Sequence, residues 1–172
     1  GSGDRQLTYG DHSYVEPEVH ASGKLVAGRI TSRSDIWKFP IGGSPVENTG
    51  AAVRITRQTG HVRVPSVSPD DREIVFVSDS GGHANLWIAA TDGSAARPIT
   101  FETDPEVAVG LPLWSPRGDL IAFVRSKPTQ GALGGISADR RDLLRLVRGL
   151  APCLPADGRW LYYWRLGVEP GG

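Results

Sequence analysis

The sequence predicts an all-β fold, a partial β-propeller of four-stranded antiparallel blades with three blades and the start of a fourth. Three observations predict it. A proline-led block recurs four times, a second set of apolar positions repeats with nearly the same period, and turn-forming residues are abundant. The 22 Gly and 13 Pro among 172 residues suit many short strands joined by turns better than long helices.

The block begins at Pro17, Pro65, Pro112 and Pro152, which stand 48, 47 and 40 positions apart. Each copy reads as strand, tight turn, strand. Pro69, Pro116 and Pro155 limit the chain near the turn, and Gly23, Gly118 and Gly158 supply a residue that accepts positive φ. Asp71 replaces that glycine in the second copy, and aspartate tolerates the left-handed region better than most residues. The apolar runs after the turns, Ile74 to Val77 and Leu120 to Val124 among them, fit strands buried on both faces.

Asp35-Ile36-Trp37 and Asn85-Leu86-Trp87 mark a third strand, with Gly42-Gly43 and Asp92-Gly93 as hairpin turn signals beyond it. A fourth strand follows at Arg5 to Thr8, Arg54 to Thr56, Arg97 to Thr100 and Arg145 to Arg148. Its apolar residues Leu7, Ile55, Ile99 and Val147 are 48, 44 and 48 apart. Pro98 removes a ladder donor, which places this strand outermost. The repeats therefore run approximately over 9–56, 57–100, 101–148 and an incomplete 149–172, one propeller fragment covering 1–172. In the third repeat, Ser126 to Gly135 reads as an inserted Gly-rich loop.

Composition removes several function classes. With 39% apolar and 22% charged residues the chain buries a core, which argues against disorder. Nineteen basic side chains balance nineteen acidic ones, and no basic run offers a footprint for nucleic acid. The single cysteine, Cys153, forms no internal disulfide and reads as a small buried apolar residue. The longest apolar runs fall far short of the roughly 20 residues that span a bilayer, so no membrane insertion is expected.

Ser68-Pro69-Asp70, Ser115-Pro116-Arg117-Gly118-Asp119, Asn85-Leu86-Trp87 and Arg97-Pro98-Ile99-Thr100 resemble the repeats of the TolB-like, WD-like β-propeller family, from Arg5 to Trp164. Similar blades occur in TolB, in prolyl oligopeptidase-family propellers, and in arrays attached to bacterial serine/threonine kinases and transcription regulators. Such rings have six or more blades, so the resemblance implies part of a longer propeller. It implies a non-catalytic binding or scaffold module, with protein, peptide or the remaining blades of its parent as partner. Two alternatives are the gating propeller of a serine peptidase and a TolB-like periplasmic partner of a membrane complex; resemblance favours an extracytoplasmic setting.

Sequence patterns for a nucleophile elbow, a zinc-protease helix, a phosphate loop and a calcium loop are all missing. No enzyme activity, cofactor or metal is therefore assigned. The repeat register places His12, His61 and His83 in loops on one face, opposite the Ser-Pro turns. As metal donors with Asp79 and Asp104 they lack a defined ligand spacing, and solvated loop histidines are the plainer reading. Arg33, Arg57, Arg63, Glu102 and Asp104 map to the same loops. Together these nine residues form the candidate partner-binding set. Trp37 and Trp87 recur at one blade position, so both are expected in the core between sheets. Trp160, Leu161, Tyr162, Tyr163 and Trp164 form an apolar strand whose open edge invites self-association, and Lys at Leu161 and Tyr163 is expected to raise solubility if those two face outward.

Overall fold

A computed structural model describes residues 13–30, 33–127, 130–137, 143–147 and 150–164. The outer strand expected at Arg5 to Thr8, and His12, lie outside them. The chain divides into two compact units, Gly1–Arg33 and Ser34–Gly172.

In the first unit, β1 (Ser13–Val19) pairs antiparallel with β2 (Leu25–Ile30). In the second, β3 (Trp37–Lys38) pairs with β4 (Val53–Arg54), and a short helix α1 (Pro45–Gly50) lies between them. That helix is a departure from the hairpin expected after Gly42-Gly43. Its cause is local: the Ser44 hydroxyl accepts the Glu47 N–H, the Glu47 carboxylate accepts the Ser44 N–H, and Pro45 opens the first turn.

Two complete blades follow. β5 (Val62–Val67), β6 (Glu73–Ser78), β7 (Asn85–Ala90) and β8 (Arg97–Pro98) form one meander. β9 (Ala108–Trp114), β10 (Leu120–Lys127), β11 (Gln130–Ser137) and β12 (Leu143–Val147) form the next. β8 and β12 are edge strands, as Pro98 requires. The expected loop over 126–135 is instead the end of β10 and most of β11, paired from Lys127↔Gln130 to Leu120↔Ser137. Small residues at Gly131, Ala132, Gly134 and Gly135 read as loop by composition, yet the continuous partner strand holds them extended. β13 (Leu150–Cys153) pairs with β14 (Tyr162–Trp164). Cys153 is exposed, against the expected burial, on this two-stranded sheet.

The Ser-Pro turns share one hydrogen-bond pattern. Ser68 N–H donates to Glu73 O at 2.8 Å and Asp71 N–H to Ser68 O at 3.0 Å; Ser115 and Leu120, then Gly118 and Ser115, repeat it at 2.8 and 2.9 Å. The fourth turn residue is left-handed in every copy, with φ of 79° at Gly23, 58° at Asp71, 72° at Gly118 and 61° at Gly158. The buried Ser68 and Ser115 hydroxyls accept N–H groups from the following strand, Glu73 at 2.9 Å and Leu120 at 3.1 Å. In the first copy His20 stands in that place, and its Nδ1 accepts the Ser22 N–H at 3.1 Å.

Each block proline marks a β-bulge in the first strand of its pair, where two residues oppose one. Val64 and Pro65 lie between the pairs Arg63↔Val77 and Ser66↔Val75, facing Phe76 alone. Register shifts recur at Glu16-Pro17, Leu111-Pro112 and Ala151-Pro152. Proline is tolerated there because the bulge needs no ladder donor from it. The residue before proline is left-handed at Val64 (φ 52°), Leu111 (φ 49°) and Ala151 (φ 50°).

Blade strands bury alternate residues against opposite neighbours. Ile74 and Phe76 of β6, with Val62, Ala89 and the flank of Trp87, meet Ile36 and Ile55 of the β3–β4 region. Val75 and Val77, with Leu86, Ile88 and Ile99, meet Val107, Val109, Trp114, Ile121 and Phe123 of the next blade. Each such fully buried side chain contributes about 1.5–3 kcal/mol. This alternation corrects one expectation. Ile36 points toward the β5–β8 blade, so its neighbour Trp37 points away from it and is exposed, whereas Trp87 has a sheet on its side and is half-buried.

Candidate functional site

In a meander, the start of β5, the end of β6, the start of β7, the end of β8 and the start of β9 share one end of the sheets. The Ser-Pro turns lie at the other end. His61, Arg63, Asp79, His83, Glu102 and Asp104 all fall at the first end, as the repeat register requires, and Arg57 lies in the connection that leads to it. Arg33 belongs to the first unit and is exposed.

The structure joins these residues into three local networks. The His61 N–H donates to Asp79 Oδ1 at 2.6 Å and the Asp79 N–H reaches back to His61 O at 3.4 Å, tying the two loops together. A side chain on Gly60 would run into the Asp79 carboxylate, so this approach demands glycine. Beside it, Gln58 Oε1 accepts the hydroxyls of buried Ser78 and of Ser80.

The second network centres on Asn85. Its Oδ1 accepts the Glu102 N–H at 2.7 Å, while Nδ2 donates to Glu102 O at 3.1 Å and to His83 O at 3.3 Å. One amide side chain thereby fixes the backbone of both loops that carry His83 and Glu102. The Thr100 hydroxyl donates to the same Oδ1 and accepts the Leu86 N–H.

The third network ties the connection between β8 and β9 to the end of β10. The Arg125 guanidinium donates to Glu102 Oε2, at 2.8 Å from Nε, and Lys127 Nζ donates to Asp104 Oδ2 at 2.7 Å. Burial opposes the Glu102 charge, but the Asp104 N–H and Arg125 outweigh it and hold the carboxyl below the usual range. The Lys127 ammonium and then the Glu106 N–H lower Asp104, and Asp104 in turn raises Lys127. Arg125 and Lys127 were not among the residues singled out by sequence. Their signal was present as two cations alternating at the end of an apolar strand, on one face by the period of two.

The geometry thus separates the candidate set. Glu102 and Asp104 neutralise cations at the end of β10 and tie their own connection to that strand. Arg57 and Arg63 are exposed. Among the described residues no group of three or more His, Cys, Asp or Glu side chains is placed to share a metal ion.

Comparison with known proteins agrees with this architecture. No family model matches the chain. It is 37% identical over 110 residues to the uncharacterized peptidase YuxL of Bacillus subtilis, covering 63% of this chain and 14% of that protein. It is 31% identical over 99 residues to the Tol-Pal system protein TolB of Xylella fastidiosa, covering 57% of this chain and 22% of that one. Among solved structures, a putative TolB from Agrobacterium tumefaciens matches with a TM-score of 0.56 and 24% identity, over 69% of this chain and 48% of that chain. The chain spans less than a quarter of the length of these two curated relatives. Fold and repeats together define a β-propeller module. Its fold is similar to that of TolB propellers.

Proposed function

We propose that the chain is a non-catalytic propeller module that binds a protein or peptide through the loop end carrying Arg57, His61 and Arg63. The observation that carries this reading is the division of charge there. Glu102 and Asp104 are engaged by Arg125 and Lys127, while Arg57, in the connection before β5, and Arg63, on β5, are exposed on either side of His61, whose N–H is held by Asp79. Rigidly held segments bearing exposed cations favour an acidic or carbonyl-rich segment. The test is a random peptide array probed with the purified chain, its hits measured by fluorescence anisotropy. Binding falls at least tenfold in the Arg57→Glu, Arg63→Glu double variant and is unchanged in Arg72→Glu, which alters the opposite, Ser-Pro end. Equal losses in both variants, or no binding peptide, overturn the proposal.

A second reading is favoured by the similarity to a protein named as a peptidase. In it the module admits or orients peptides for a hydrolase domain elsewhere in its parent protein. The purified chain then hydrolyses no peptide or ester substrate by itself; turnover abolished by substituting one of its own residues refutes both readings. Service as a sensor in a kinase or transcription regulator rests on repeat resemblance alone.

A further inference from the structure

At the end opposite the candidate loops, a pocket of about 230 Å³ lies among the Ser-Pro turns of the two complete blades. Ser68, Pro69, Asp70 and Glu73 line it from one blade, and Trp114, Arg117 and Gly118 from the next. It sits between two four-stranded sheets at their turns, not on a sheet face that a further blade would cover. Pockets that enclose whole small molecules run to roughly 300–1,000 Å³, so this one suits a single side chain.

Successive turns show why the pocket exists. Arg117 is the counterpart of Asp70 in the repeat. The Arg117 stem lies over the following turn: a Cβ on Gly158 would stand 3.0 Å from Arg117 Cγ and 3.7 Å from its Nε. At Gly118, the same position one turn earlier, a Cβ would meet only the Pro69 ring among the described residues, at 3.8 and 3.9 Å. Asp70 is too short to cross. The chain itself thus shows what lies in such a cleft, a guanidinium-bearing side chain drawn across the left-handed glycine of the next turn.

The other walls suit the same group. Asp70 and Glu73 set two carboxylates against one guanidinium, and that guanidinium, on Arg117, is paired with Asp119 outside the pocket. Asp70 meets the Arg72 Nε only at 3.9 Å, with both side chains largely in solvent. The Ser68 hydroxyl and the Arg72 N–H hold the Asp70 carboxyl below its usual range, so it is ionised at neutral pH. Trp114 adds an aromatic wall, against which a planar guanidinium stacks better than an ammonium. Its buried indole N–H has no acceptor among the described residues, so Trp114 also holds a donor that the protein leaves uncommitted.

We propose that this pocket receives an arginine side chain of a partner peptide, its stem over Gly118 and its guanidinium among Asp70, Glu73 and Trp114. The site uses none of the loop-end cations, so it stands or falls separately from binding there.

The test follows the Trp114 indole N–H signal by NMR, identified by its loss in Trp114→Phe, while acetyl-Gly-Arg-Gly-amide is added to the purified chain. The signal is expected to shift saturably at millimolar peptide. The same peptide with citrulline in place of arginine keeps the shape without the charge and is expected to bind at least tenfold more weakly; this comparison uses wild-type chain alone. Asp70→Arg gives this turn the residue that the next one carries, and is expected to fill the pocket and abolish the shift while the rest of the spectrum stays dispersed. The Arg57→Glu, Arg63→Glu double variant is expected to bind the arginine peptide as wild type does. An arginine peptide that shifts nothing, a citrulline peptide that binds equally, a folded Asp70→Arg chain that still binds, or loss of binding in the loop-end double variant overturns the proposal.

Discussion

The Thr56 hydroxyl accepts the Ile36 N–H at 2.9 Å and lies 3.2 Å from Asp35 Oδ1, and one blade later Thr100 makes the same pair of contacts with Leu86 and Asn85. A threonine two residues beyond the outer strand thus closes the third strand's start in both repeats. Thr56 is buried, so Thr56→Val keeps the shape but strands a buried N–H. It is expected to cost about 1–3 kcal/mol in urea denaturation, with Thr56→Ser much milder. Equal effects of Val and Ser would show that packing, not the hydrogen bond, is what Thr56 supplies.

Val64 is β-branched, precedes proline and is left-handed at φ 52°. Left-handed backbone costs most residues about 1–2 kcal/mol and costs asparagine less. Val64→Asn is therefore expected to leave stability unchanged or raise it by up to about 1 kcal/mol. Val62→Asn, two residues earlier at a buried position, is expected to be severely destabilising. A large loss at Val64 would mean that its side chain, and not only its backbone, is required by the bulge.

Phe76 is fully buried and Trp37 is exposed. Phe76→Ala should cost about 3–5 kcal/mol. Trp37→Ala, measured in dilute monomer, should fall within about 0.5 kcal/mol of wild type, the range of ordinary surface changes. The contrast reverses what aromatic size alone would give, and a thermal midpoint lowered as far by Trp37→Ala as by Phe76→Ala would refute the assigned facing.

Glu102 and Asp104 have carboxyls held below their ordinary pKa in the folded state. Between the folded and unfolded values the unfolded chain binds more protons, so stability rises with pH there. Their contribution is fully present above the unfolded carboxylate range and is lost as pH falls through the folded values. The double variant Glu102→Gln, Asp104→Asn should accordingly show a flatter fall of the urea midpoint between pH 6 and the acid limb. An unchanged slope would assign the acid sensitivity to other carboxylates.

Much of the repeat was legible because its devices are local. A left-handed turn residue needs only the five positions around it, so Gly23, Asp71, Gly118 and Gly158 announced themselves, and Pro98 marked an outer strand by lacking a donor. The capping box at Ser44 is equally local, but it directly follows Gly42-Gly43, a pair that by itself reads as a hairpin turn. The bulges were not legible, since nothing in Val64 or Leu111 as residue types favours positive φ.

What only tertiary structure decided is facing and partnership between elements. The sequence by itself determined the repeat, the strand order within a blade and the end at which the candidate residues cluster. It left Trp37 and Trp87 equivalent, because side-chain identity does not say whether a sheet lies opposite. It likewise left Glu102 and Asp104 as plain loop charges. Their bonds to Arg125 and Lys127 span 23 residues, and the Trp114 N–H reaches Ser66 Oγ across 48. Such contacts depend on how strands and connections distant in sequence register against one another, within a blade and between blades, and a shift of one residue along a strand turns every side chain to the other face.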